Sequence, residues 1–131
     1  MKKTEALRQA YGDELFSRIE FIVADLEDAA GLSNAISGVT HMLHLASPVP
    51  SDANKYAKKQ MTKQAVRGMR IVLEACKANR VQKLVITSSA DTIATGIPSK
   101  AKSQEFDEND YNYAVTDKDV DDYIMSKIMQ E

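Results

Sequence analysis

Three short apolar runs rich in β-branched residues, separated by stretches with helical patterning, constrain this sequence more than any other feature. Ile19-Glu20-Phe21-Ile22-Val23-Ala24 stops at Asp25-Leu26 and reads as a buried strand. Thr40 to Ala46 reads as a second strand, broken by Ser47-Pro48-Val49-Pro50-Ser51, where the prolines forbid continuation. Val81 to Ser89 reads as a third, ending in the hydroxyls of Thr87, Ser88 and Ser89. Strands alternating with helices at this spacing imply βαβ units and a parallel sheet, so the expected class is α/β.

The intervening stretches carry a 3.6-residue apolar period. Lys2 to Phe16 has Ala6, Leu7, Ala10, Tyr11 and Leu15 at helical spacing, with Gly12 positioned to bend or end the helix early. Glu27 to Ile36 reads as a second helix, with Gly38 as its C-terminal cap. The longest helix is expected from about Ala53 to Asn79, where Ala57, Met61, Ala65, Met69, Val72, Leu73 and Cys76 share a face. Its other face holds Lys55, Lys58, Lys59, Lys63 and Arg67, and reads as solvated rather than as a binding patch. After a long polar loop, a final helix is expected from Asp117 to Glu131, with Thr116 as N-cap and Asp117 and Asp119 in the first turn.

At 131 residues the chain is one domain at most, long enough to bury a core. A formal net charge of -2 with mixed signs gives no electrostatic footprint for nucleic acid or an anionic membrane. The one cysteine, Cys76, has no second cysteine to pair with, which fits a reducing setting. The N-terminus shows no apolar stretch suited to a signal peptide, and no run reaches membrane-span length. These features together give a cytoplasmic expectation.

Two groups of residues could carry chemistry. Tyr123 and Lys127 lie four apart, which puts a phenol and an ammonium on one helix face. An unperturbed phenol ionises near pH ~10, and a neighbouring cation lowers that value, fitting the phenol for general acid or base work on a carbonyl or alcohol. That spacing also arises by chance in roughly one such sequence in three, as a surface helix pair. Thr87-Ser88-Ser89 ends a predicted parallel strand, where open α/β sheets place ligands; the alternative is ordinary turn residues. His41 and His44 are three apart on a strand, so they face opposite ways and lack further ligands for a metal. Asp25 is a candidate cap for the helix that follows.

In this order the pieces resemble the extended short-chain dehydrogenase/reductases, and within them the dihydroflavonol reductase, cinnamoyl-CoA reductase and yeast methylglyoxal-type ketoreductase group. Asp25-Leu26 resembles the family's Asp-Leu pair, whose acid contacts the adenine. His44-Leu45-Ala46-Ser47-Pro48-Val49 is similar to the His-x-Ala-Ser-Pro signature whose backbone lines the dinucleotide. Val81 to Ala90 resembles the strand ending in Thr-Ser-Ser-Ala, Phe106-Asp107-Glu108 the group's Phe-Asp-Glu, and Tyr123 to Lys127 its Tyr-x-x-x-Lys.

The resemblance implies an NAD(P)-dependent oxidoreductase of partial Rossmann-like architecture, reducing a ketone or aldehyde. It gives catalytic roles to Ser89, Tyr123 and Lys127. It gives NADP or NAD contacts to Asp25, Leu26, Leu45, Ala46, Ser47, Tyr123 and Lys127. Glycines occur only at 12, 31, 38, 68 and 96, too far apart for the family's phosphate loop. The first predicted strand is expected to correspond to the family's third, with the family's C-terminal substrate domain expected to be absent.

The family's first two strands would lie between the first and second runs seen here, leaving a gap of roughly 10 Å in the sheet. Exposed apolar edges and self-association through them are the expected result. The alternative function is a catalytically inactive remnant or interaction module unable to bind the dinucleotide alone.

Overall fold

A computed structural model of the chain describes residues 2–48, 60–94, 106–107, 110 and 120–131. Its elements are helix α1 (Lys2–Phe16), α2 (Ala29–Ala35), strand β1 (His41–His44), α3 (Gln60–Ala78), β2 (Lys83–Ile86), α4 (Asp91–Ala94) and α5 (Asp122–Ile128).

Strands β1 and β2 form a parallel pair in the register His41↔Lys83, Met42↔Leu84, Leu43↔Val85 and His44↔Ile86. Helix α3 makes the crossover between them, which is the βαβ unit that parallel pairing requires. The ladder is extended at both ends: Gln82 N donates to Thr40 O at 2.8 Å and Thr87 N to His44 O at 3.1 Å. The α/β class and the parallel sheet are as expected from the sequence.

The core lies on one face of this ribbon. Leu32 and Ile36 of the α2 segment meet Ile71, Val72, Ala75 and Cys76 of α3, with Met42 and Leu84 of the strands packed against them. Val72 is wholly enclosed. On the opposite face Leu43 is 70% exposed and its partner Val85 46%.

Helix α3 ends in a Schellman turn, with Val81 N donating to Cys76 O at 2.9 Å and Arg80 N to Lys77 O at 3.2 Å. Arg80 takes the left-handed conformation there, with φ 57°. Asn79 Nδ2 ties this turn to α2 through Ser33 O at 3.1 Å and Ser33 Oγ at 3.0 Å.

Four expectations need correction or restriction. The run Ile19–Ala24 is not a strand: it pairs with neither β1 nor β2, and Val23 is fully exposed. A strand needs a ladder partner to satisfy its N–H and C=O groups, and no described strand lies beside this run. Phe21 instead turns back to Phe16, ring centroids 5.3 Å apart. The sheet therefore has two strands among the described residues rather than three. Asp25 does not cap α2; Asp28 does, accepting Gly31 N at 3.0 Å. The expected start of the long helix at Ala53 and the polar loop from Gly96 fall mostly outside the described residues.

Helix α1 is kinked at Gly12, at φ 74° and ψ 163°, a region open to glycine, so the expected bend is present. No helix among the described residues is long and apolar enough to cross a membrane.

Candidate functional site

The hydroxyls that end β2 run directly into α4. Thr92 Oγ1 donates to Ser89 O at 2.7 Å, and Asp91 N donates to Ser89 Oγ at 3.2 Å. Ser89 Oγ in turn donates to Asp91 Oδ2 at 3.0 Å. Ser89 is half-buried and Thr92 buried. Helix α4 packs against α5, so the strand end and the Tyr123 helix are neighbours.

Helix α5 opens at Asp122 with Asp121 as its N-cap, accepting Ile124 N at 2.9 Å. The cap is therefore not Thr116, and residues 116–119 lie outside the described set. Lys127 Nζ stands 6.0 Å from the centroid of the Tyr123 ring, at the outer range of a cation–π contact. Tyr123 is half-buried, whereas Lys127 is only 5% exposed. Ser126, enclosed below them, donates to Tyr123 O at 2.6 Å.

Two side chains, one opening α5 and one just beyond it, tie this segment to α3. Asp122 accepts Met61 N at 2.9 Å and Thr62 N at 3.4 Å, and Thr62 Oγ1 donates to both the carboxylate and the backbone carbonyl of Asp122. The carboxylate thus serves the unpaired N–H groups and positive end of another helix. At the other end, Gln130 Nε2 donates to Ala65 O at 3.4 Å, and Ser47 Oγ donates to Gln130 Oε1 at 3.3 Å.

Between α3, the end of β1 and the turn at Leu26 lies a cleft of about 190 Å³, lined by Leu26, Glu27, His44, Pro48, Gly68 and Gln130 among others. His44 is buried on the inward face of β1 and His41 exposed, as the strand alternation required. Burial holds the imidazole of His44 below its ordinary pKa, and the Lys127 ammonium pushes it further the same way.

Of the expected cofactor contacts, Leu26 lines this cleft. Asp25 is exposed beside it, its carboxylate accepting Glu27 N at 2.9 Å. Leu45 and Ala46 are exposed and Ser47 is hydrogen-bonded to Gln130, just past the end of α5. Tyr123 and Lys127 are not in the cleft wall. Typical ligand pockets occupy about 300–1,000 Å³. The cleft is smaller than that range, and of the expected cofactor contacts only Leu26 lines it.

Sequence reasoning missed the interactions of three residues. Asp122 could have been singled out as an acid directly before Tyr123, but its partner Thr62 is sixty positions away. Asp91, two after Ser89, had only that proximity as a signal. For His44, readable as the start of the His-x-Ala-Ser-Pro resemblance, no local signal gives its burial or the influence of the Lys127 charge.

The chain is 34% identical over 114 residues to the Mus musculus sterol-4-alpha-carboxylate 3-dehydrogenase, decarboxylating, covering 87% of this chain and 29% of that protein. It is 34% identical over 110 residues to Solanum lycopersicum dihydroflavonol 4-reductase, covering 82% and 29%, and 35% identical over 91 residues to Arabidopsis thaliana cinnamoyl-CoA reductase 1, covering 70% and 24%. The chain thus spans less than a third of these relatives.

The crystal structure of yeast methylglyoxal/isovaleraldehyde reductase complexed with NADPH superimposes with a TM-score of 0.72 at 22% identity. It covers 99% of this chain and 41% of the reductase, a likeness of fold. The resemblance read from the motifs is borne out. Residues 5–131 match the 3-beta hydroxysteroid dehydrogenase/isomerase family, and the chain belongs to it.

Proposed function

We propose that this chain carries part of the site of an NAD(P)-dependent oxidoreductase acting on a carbonyl or its alcohol. The observation that carries the reading is the placement of Tyr123 and Lys127 on one turn of α5, beside the helix that Ser89 leads into. The nicotinamide supplies or receives hydride when bound. Tyr123 gives its phenol proton to the carbonyl oxygen, or takes it back from the alcohol. Lys127 stabilises the phenolate form by its charge. Ser89 binds the substrate oxygen. Leu26 and the backbone from His44 to Ser47 hold part of the dinucleotide, and the names of the relatives support a reductase or dehydrogenase reading.

The test is thermal denaturation of the chain with NADPH or NADH. A ligand at about a hundred times its Kd adds about 2.7 kcal/mol to folding stability. A rise in Tm with either nucleotide is expected; none with both overturns cofactor binding by this chain.

A second reading is favoured by the exposed apolar pair on one face of the sheet, where Leu43 and Val85 stand side by side. It is self-association of two copies through that face, as an interaction module without turnover. Sedimentation equilibrium on the chain and on Leu43→Lys tests it: a dimer lost in the variant is expected, and a monomeric parent overturns it.

A further inference from the structure

A second groove, of about 370 Å³, runs between α3 and the residue that caps α5, and is lined by Thr62, Lys63, Val66, Arg67, Arg70 and Met129. That volume lies within the range of about 300–1,000 Å³ usual for ligand pockets. None of its lining residues belongs to the group of Ser89, Tyr123 and Lys127.

Lys63, Val66, Arg67 and Arg70 recur at the spacing of one helix face. The three cations are exposed, and none forms an ion pair or a side-chain hydrogen bond with a described residue. No acidic side chain lines the groove. The carboxylate of Asp122, which reaches Thr62, is taken up by Met61 N, Thr62 N and the Thr62 hydroxyl. Its bonds at Thr62, with that from Gln130 Nε2 to Ala65 O, fix the two walls against each other.

Sequence patterning places Lys63 and Arg67 on a solvated face, but Val66 and Met129 make part of that face apolar, with Met129 left 55% exposed. A guanidinium binds a carboxylate through two parallel hydrogen bonds, and an apolar chain laid against Val66 and Met129 leaves water. The concave space is the size of one small molecule, which separates it from a flat basic surface for a membrane. We propose that this groove binds a small organic anion with an apolar tail, its carboxylate held by Arg67 and Arg70 and its chain lying along Val66 and Met129.

The experiment is an NMR titration of the chain with octanoate, octanol and acetate, following the amide signals of Val66, Arg70 and Met129. A groove acting by apolar contact alone would favour octanol, the less hydrated of the two chains. The parent is expected instead to favour octanoate by about tenfold, the sum of several exposed charge contacts, with acetate weaker than either. Arg67→Gln combined with Arg70→Gln should remove that preference and leave octanol unchanged. Met129→Ser should weaken octanoate and octanol alike. Sodium chloride at about 1 M, where charges are screened beyond about 3 Å, should weaken octanoate and spare octanol.

An octanol affinity equal to or above that of octanoate in the parent overturns the proposal. So does an octanoate affinity that neither the double variant nor salt changes, or a response confined to other amides, such as those of Leu43 and Val85. Binding to phosphatidylglycerol vesicles with no response to octanoate overturns it in favour of a membrane surface.

Discussion

Thr62 and Asp122, sixty positions apart, form the clasp that joins α3 to α5: the threonine hydroxyl donates to Asp122, whose carboxylate accepts the first-turn N–H groups of α3. Tyr123 follows immediately in the chain. The clasp therefore sets where the phenol stands relative to the strand ends, although it touches neither the phenol nor the ammonium.

Asp122→Ala is expected to cost about 1–3 kcal/mol, the range for a lost helix cap or a hydrogen bond to a charged group. Urea denaturation measures the loss, and hydrogen exchange should show α5 opening ahead of the β1–α3–β2 core. Thr62→Val should produce a smaller change of the same kind. If α5 amides exchange no faster in Asp122→Ala, the clasp does not hold the helix.

Burial and Lys127 both hold His44 below its ordinary pKa, and Glu27 lines the same cleft. Unfolding returns the imidazole to a value near ~6.5. Between the folded and unfolded values, the unfolded chain binds a proton that the folded chain refuses. Stability therefore falls as pH drops below ~6.5, and the fall ends once the folded imidazole is itself protonated. Melting temperatures across that range should drop less steeply in His44→Gln than in the parent, and matching slopes would remove His44 as the cause.

Arg80 occupies a left-handed position at the end of α3 that normally suits glycine. A side chain there costs about 1–2 kcal/mol, partly offset by the greater freedom of glycine in the unfolded chain. Arg80→Gly should raise stability by about 0.5–1 kcal/mol. A calorimetric melt that stays put or falls argues that Arg80 makes a compensating contact.

Tyr123→Phe keeps the ring that packs beside Lys127 and removes the proton donor. In a polypeptide of the relatives' length carrying this segment, turnover should fall by about 10²-fold or more, in the range of general acid–base effects, with cofactor affinity little changed. Steady-state kinetics and nucleotide titration separate the two. Wild-type turnover in the variant takes Tyr123 out of the mechanism.

The elements closest to one another in sequence were the most legible. Apolar periodicity located α2, α3 and both paired strands, because Leu32 and Val72 are buried, and Met42 half-buried, at the spacing their elements impose. The run at Ile19–Ala24 has strand composition too, but composition cannot supply a pairing partner, and the ladder decides. In the candidate site, Tyr123, Lys127 and Ser89 were readable as motifs. The Asp122 clasp and the influence of the Lys127 charge on buried His44 arise only when distant segments meet, and no local pattern encodes them.

Cys76 is sealed between α3 and the strands, its sulfur 3.5 Å from Met42 Sδ, and burial raises its thiol pKa. A thiolate is scarce there, and alkylating reagents must wait for the layer to part. Since the sequence holds no other cysteine, the rate at which this sulfur is labelled is an intrinsic clock for core opening, readable by mass alone and requiring no engineered reporter.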